Sequence, residues 1–279
     1  MLPLDKLTYE QINIVDPDGN NHLHHAALSD NPEVIIELVK AKCDINAQSK
    51  SGDTPLHYAA SEGHAKNVEA LMHAGANPYI TNVTGQTPLH LASQEGKTKA
   101  VEALLRNPEL RELVDNVDKR HSNTALHHAA LNGHKNTVKF LIGSGADIDA
   151  VDKNGNTALH LAVILDQVDA LKTLLESKAD PNLQNKHGNT PLHIAILKDN
   201  KESVRVLNNA NTNVDIKNKN GETVAFLMEH KILKINLIED IIYSLPDPKP
   251  KRRLAANPGN EGPLRAAQLG GAVAPHQRS

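Results

Sequence analysis

Along residues 152–184 the apolar positions Leu159, Ala162, Leu171, Leu174 and Leu175 recur at spacings that line one face of a helix. Ahead of them Gly155 offers a turn conformation that a side chain would hinder, and Thr157 stands where it can cap the first helix. Two helices follow one turn. The same pattern of apolar and polar positions returns along most of the chain. Near-copies of the stretch GNTALHLA begin at Gly19, Gly52, Gly85, Ser122, Gly155, Gly188 and Gly221, so successive steps are 33, 33, 37, 33, 33 and 33 residues. Where Pro55, Pro88 and Pro191 follow the Thr, they fall at the first helical position, at which a missing N–H costs nothing. Gly75 and Gly145 mark helix ends, and Lys42, Lys178 and Asn211 occupy the equivalent place, where a positive φ is expected.

A 33-residue period carrying T-P-L-H resembles the ankyrin repeat. The resemblance implies an all-α fold, an α-solenoid of seven ankyrin-like repeats, each a β-turn plus two antiparallel helices. The expected units are 16–48, 49–81, 82–118, 119–151, 152–184, 185–217 and 218–245, preceded by a lead-in over 1–15. In that lead-in Leu4, Leu7, Ile12 and Val15 are placed to cover the first unit, and Thr8 with Gln11 has capping-box spacing. Unit one departs from the motif at Asn21 and His22, as a terminal unit can. The single 37-residue step comes from residues 106–118 and one extra turn residue. There Asn107, Pro108 and Glu109 read as a fresh helix start with Leu110, Leu113 and Val114 as its apolar side. Unit six has Asn208 where an aliphatic residue usually stands. Unit seven loses the motif His and continues into an apolar helix with Ile232, Leu233, Ile235, Leu237, Ile238, Ile241 and Ile242.

After Leu245 the composition shifts to Pro, Gly, Ala and Arg, and residues 246–279 read as a disordered tail that could be foreign to the natural gene. That tail holds six basic residues against Asp247 and Glu261, a charge of +4, which leaves −7 of the total −3 for the body. Within it Lys249 to Arg253 resembles a nuclear-import signal. Aromatic content of 2% with no Trp leaves few rings to stack nucleobases, so nucleic acid is not the expected partner. No apolar run reaches the ~18 residues of a membrane span. The single Cys43 reads as a small buried thiol in a reducing compartment, and a cytoplasmic monomer is expected.

Sixteen histidines invite a metal or catalytic reading, yet His24, His57, His90, His127, His160 and His193 share one repeat position. The resemblance implies hydrogen bonds from each to the nearby Thr54, Thr87, Thr124, Thr157 or Thr190 and to backbone of the adjacent turn, a structural role. Adjacent histidines on a helix point about 100° apart and no second ligand set completes them, so no metal, cofactor or catalytic residue is assigned. The family's partners are usually held by turn tips and outward positions of the first helix. At one tip position stand Arg120, Lys153, Lys186 and Lys219, ~30 Å from end to end at a ~10 Å stacking period. Behind them lie Leu131, Ile164 and Leu197, with Leu165 beside them, and the amides Asn123, Asn156 and Asn189 between. Units two and three offer Lys50, Val83, Ser61 and Gln94 instead. The expected function is a non-enzymatic protein-interaction scaffold whose partner presents acidic residues around an apolar segment. A host-directed adaptor of an intracellular bacterium and the repeat region of a larger enzyme are the alternatives.

Overall fold

A computed structural model describes residues 8–230, and among these the secondary structure is helical, with no strand. The chain starts with a single turn, α1 (Tyr9–Ile12), whose Thr8 and Gln11 form the expected reciprocal cap. Six helix pairs follow: α2 (His22–Ala27) with α3 (Pro32–Lys40), α4 (Pro55–Glu62) with α5 (Ala65–His73), and α6 (Pro88–Gln94) with α7 (Thr98–Leu104). The others are α8 (Ala125–Leu131) with α9 (Lys135–Gly143), α10 (Ala158–Ile164) with α11 (Val168–Glu176), and α12 (Pro191–Lys198) with α13 (Lys201–Asn208). After a further turn, residues 224–230 are again helical.

The first helix of each pair packs on the first helices before and after it, and the second helices do the same, so two layers run along the stack. The sequence explains why they fit. Leu56, Leu89, Leu126, Leu159 and Leu192 are all buried to within 1%. Ala59, Ala92, Ala129, Ala162 and Ala195, three residues on, are fully buried and thin enough to let neighbouring first helices approach. Val68, Leu71, Val101, Leu104, Val138, Leu141, Leu171, Leu174 and Leu207 fill the space between the layers. Each unit thus buries its own apolar face only by lending it to the next.

At the helix ends Lys42, Lys178 and Asn211 have φ of 67°, 73° and 54°, beside Gly75 at 91° and Gly145 at 96°. The fresh helix start after α7 takes the form of a tight 3-10 helix (Pro108–Asp115) with a break at Leu110 (φ −94°, ψ 15°). Asn107 caps it by accepting the Glu109 N–H, and Leu113 and Val114 are its buried side. Ile12 covers the first unit as expected, whereas Val15 is 54% exposed: the chain has already turned outward beyond α1. The expected roles of Leu4 and Leu7, the helix over Ile232–Ile242, the tail over 246–279 and the basic run Lys249–Arg253 lie outside the described residues.

Candidate partner-binding surface

The motif histidines build the frame that carries the surface. In unit five the Thr157 N–H donates to His160 Nδ1 at 3.2 Å, and the Thr157 hydroxyl lies 2.9 Å from the same nitrogen. On the other side of the ring His160 Nε2 faces the Asn189 carbonyl oxygen at 3.0 Å. A carbonyl only accepts, so Nε2 carries the proton and Nδ1 is bare. The same geometry joins His24 to Asp53, His57 to Gln86, His127 to Asn156 and His193 to Glu222, each across to the next turn. Burial pushes all six imidazoles below their ordinary range, His90 and His160 to about 4. They are neutral cross-links.

The turns are also tied to each other at their tips. Backbone N–H groups of Lys50, Val83, Lys153, Lys186 and Lys219 donate to the carbonyls of Asp18, Ser51, His121, Asn154 and His187 in the preceding turn, at 2.8–3.1 Å. Such bonds need close approach. A Cβ on Gly155 would stand 2.9 Å from the Lys186 nitrogen, and one on Gly188 would stand 2.6 Å from that of Lys219. These glycines therefore serve the spacing between turns as well as their own φ of 74°.

A second set of bonds consumes two of the three amides expected on the surface, Asn156 and Asn189. Asn156 is buried, giving its Nδ2–H to Asp152 and accepting from Asn185 at 2.9 Å. Asn189 accepts from Asn218 at 3.1 Å in the same way, and Asn123 is 5% exposed. Asn123 and Asn156 are withdrawn from solvent because a neighbouring turn covers this position.

The four cations are exposed, and among the described residues none of them is in an ion pair. Lys153 leans back to donate to the Arg120 carbonyl at 2.7 Å. Behind the row Leu165 and Leu197 are 51% and 54% exposed, while Leu131 and Ile164 are half-buried, Ile164 packing on the core. Exposed aliphatics are not confined to this half: Leu28 stands at the Leu131 position in unit one, and Val83 at a tip is 71% exposed. Between these, Ser61, Glu62, Gln94 and Glu95 make the floor of units two and three polar.

Sequence reasoning missed a buried pair. Asp118 opens the six-residue turn, and its Oδ2 accepts from His128 Nε2 at 2.9 Å, with both side chains under 10% exposed. Burial pushes the Asp118 carboxyl up, but the His121 N–H and His128 outweigh it and leave it below the usual range. Burial likewise keeps His128 neutral, so a neutral imidazole donates to a carboxylate. The signal was a His beside the motif His in the one unit whose turn has an extra residue. Unit one pairs His25 with Asp16 at 3.0 Å in the same fashion, nearer the surface.

Among the described residues no three His, Cys, Asp or Glu side chains converge as metal ligands do. No helix there is long and apolar enough to cross a membrane. Compared with known proteins, the chain matches the family model "Ankyrin repeats (3 copies)" in overlapping stretches from 4–82 through 166–235. The ankyrin repeat domain of Bcl-3, described as a unique member of the IkappaB protein family, superposes with a TM-score of 0.69 and 30% identity, over 75% of this chain and 94% of that one. The human ASB11 ankyrin repeat domain gives 0.65 and 25% identity, over 77% and 97%. No curated protein sequence matches the chain.

Proposed function

We propose, from the premise that this chain belongs to the ankyrin repeat family, that it is a non-enzymatic scaffold holding a protein partner against units four to six. The family's domains are typically protein–protein interaction modules. The observation that carries the reading here is the coincidence, in one half of the stack, of four exposed cations in register with the exposed Leu165 and Leu197. Apolar side chains rimmed by charge mark contacts. The fitting partner presents an apolar segment flanked by acidic residues, affinity coming from the desolvated aliphatics and orientation from the basic row. A monomer working in a reducing cytoplasm suits the free, buried Cys43.

The test is affinity purification with the wild type and with a Lys153→Glu/Lys186→Glu variant, followed by mass spectrometry. A protein recovered with the wild type and lost with the variant supports the reading. Recovery with both wild type and variant, together with loss on charge changes at Lys50, Glu62 or Glu95, moves the contact to the other half.

A further inference from the structure

The tip bonds that run from turn to turn stop once. Among the described residues no backbone bond joins Thr84 in the third turn to Lys119 or Arg120 in the fourth, although all five other junctions from unit one to unit seven have theirs. The side-chain amide bond that backs three of the junctions, Asn82 to Asp53, Asn185 to Asn156 and Asn218 to Asn189, is absent here, as it is where Ser49 and Asp152 stand at the donor position. The cause lies in the sequence. The extra residue makes the fourth turn run from Asp118 to Asn123, and Ser122 rather than Gly takes the positive φ, at 56°.

The outer side of the same junction is grooved at its surface. One open groove runs between α7 and α9, lined by Thr98, Glu102, Lys139 and Phe140, and another lies between the 3-10 helix and the end of α9, lined by Leu105, Pro108, Arg111 and Gly145. Both reach Gly143. Units two, three and five carry His73, Arg106 and Glu176 at that place, and a Cβ added to Gly143 would meet nothing within 4 Å. What remains joined is the middle of the junction. His90 Nε2 reaches both the Asn116 and Asn123 carbonyls at 2.9 and 3.1 Å, and His134 Nε2 bonds the Gln94 carbonyl at 2.8 Å. Thr98 and Thr137 share a hydroxyl bond at 2.8 Å, and Asp115 accepts the Asp147 N–H at 3.0 Å.

We propose that the stack is jointed between units three and four, pivoting on the first helices α6 and α8, with the turn tips of units one to three and of units four to seven moving as two separately tied sets. Elements that absorb such motion sit where ties are few. The tips of turns three and four lie close, an added Cβ on Gly85 running into the Lys119 backbone, yet among the described residues no hydrogen bond fastens one to the other. Movement here changes the width of the surface between tips and first helices without breaking any of the imidazole cross-links, and the proposal does not depend on which partner binds.

The test places spin labels two units apart in a Cys43→Ala background, Ala being the residue at this position in units two, four and five. One pair, Lys50→Cys/Arg120→Cys, spans the junction, and the other, Lys153→Cys/Lys219→Cys, does not. The expected distance distribution is about twofold broader across the junction, as collective motion of packed elements gives. Equal widths overturn the joint. Deleting Lys119 together with Ser122→Gly restores a five-residue turn, and should narrow the spanning distribution to the width of the other pair; a distribution left unchanged in this variant, once shown folded, overturns the assigned cause. Hydrogen exchange of the unaltered chain supplies an independent readout. The amides of Lys50, Val83, Lys153, Lys186 and Lys219 should be protected, with those of Lys119 and Arg120 exchanging on the order of tenfold faster or more. Equal protection at all seven counts against the joint.

Discussion

His160 of one unit gives its Nε2–H to the Asn189 carbonyl of the next at 3.0 Å, so the ring that caps one helix also fastens the following turn. Removing it strips a cap and a cross-link together. His160→Ala should destabilise the fold by about 1–3 kcal/mol, the cost of leaving such buried groups unsatisfied. Chemical denaturation checks the size. Stoichiometric zinc in the wild type, lost on this substitution, would falsify the structural role.

The depressed imidazoles make the fold acid-sensitive. In the unfolded chain a His titrates near 6.5, whereas His90 and His160 do so at about 4 when folded. A group held neutral by folding contributes stability that is complete above its unfolded pKa and is lost as pH falls. Stability should therefore be flat above about pH 6.5 and decline toward about pH 4, each of these rings adding about 1.4 kcal/mol per pH unit to the slope within that window. Denaturation midpoints across pH 4–8 in the wild type and His160→Gln measure it, and the variant should show the shallower decline.

Glycine is required for two separate reasons, which substitutions can divide. Gly145 has φ 96° with nothing within 4 Å of an added Cβ, so Gly145→Ala should cost only the left-handed conformation, about 1–2 kcal/mol. Gly188 shares the positive φ but adds an approach of 2.6 Å to the Lys219 backbone. Gly188→Ala should cost distinctly more, and equal losses in the two variants would show that the turns can part freely.

Charge and apolar area should separate kinetically. Lys153→Glu with Lys186→Glu is expected to slow association with the partner and flatten its salt dependence, since exposed cations act mainly by steering. Leu165→Asp and Leu197→Asp should chiefly speed dissociation. Both side chains are more than half exposed, so these changes test contact rather than folding, which the half-buried Ile164 would confuse. Binding kinetics at two salt concentrations distinguish the arms.

Fold was legible because each unit repeats one solution. Thr157, His160, Leu159 and Ala162 each announce a local task, and seven near-copies remove the ambiguity that a single copy has. The surface was less legible. Asn156 and Asn189 look like free amides in a sequence, and only the placing of one turn against the next reveals that Asn185 and Asn218 already occupy them. The Asp118–His128 pair escaped for a related reason: an added residue shifts which atoms meet, and a register shift leaves no composition signal. The 3-10 geometry of Pro108–Asp115 was likewise invisible, because its apolar residues fit either helical period.

Phe226 stands where the preceding units have the motif histidine, 41% exposed and stacked on His230 at 3.8 Å. Every earlier unit hands a proton donor forward to the turn that follows it, from His24 to Asp53 through His193 to Glu222. A phenyl ring has no such proton to give. The linkages among the described residues therefore all point one way, each from a helix to the turn after it, and the array has a direction that its near-identical units do not show singly.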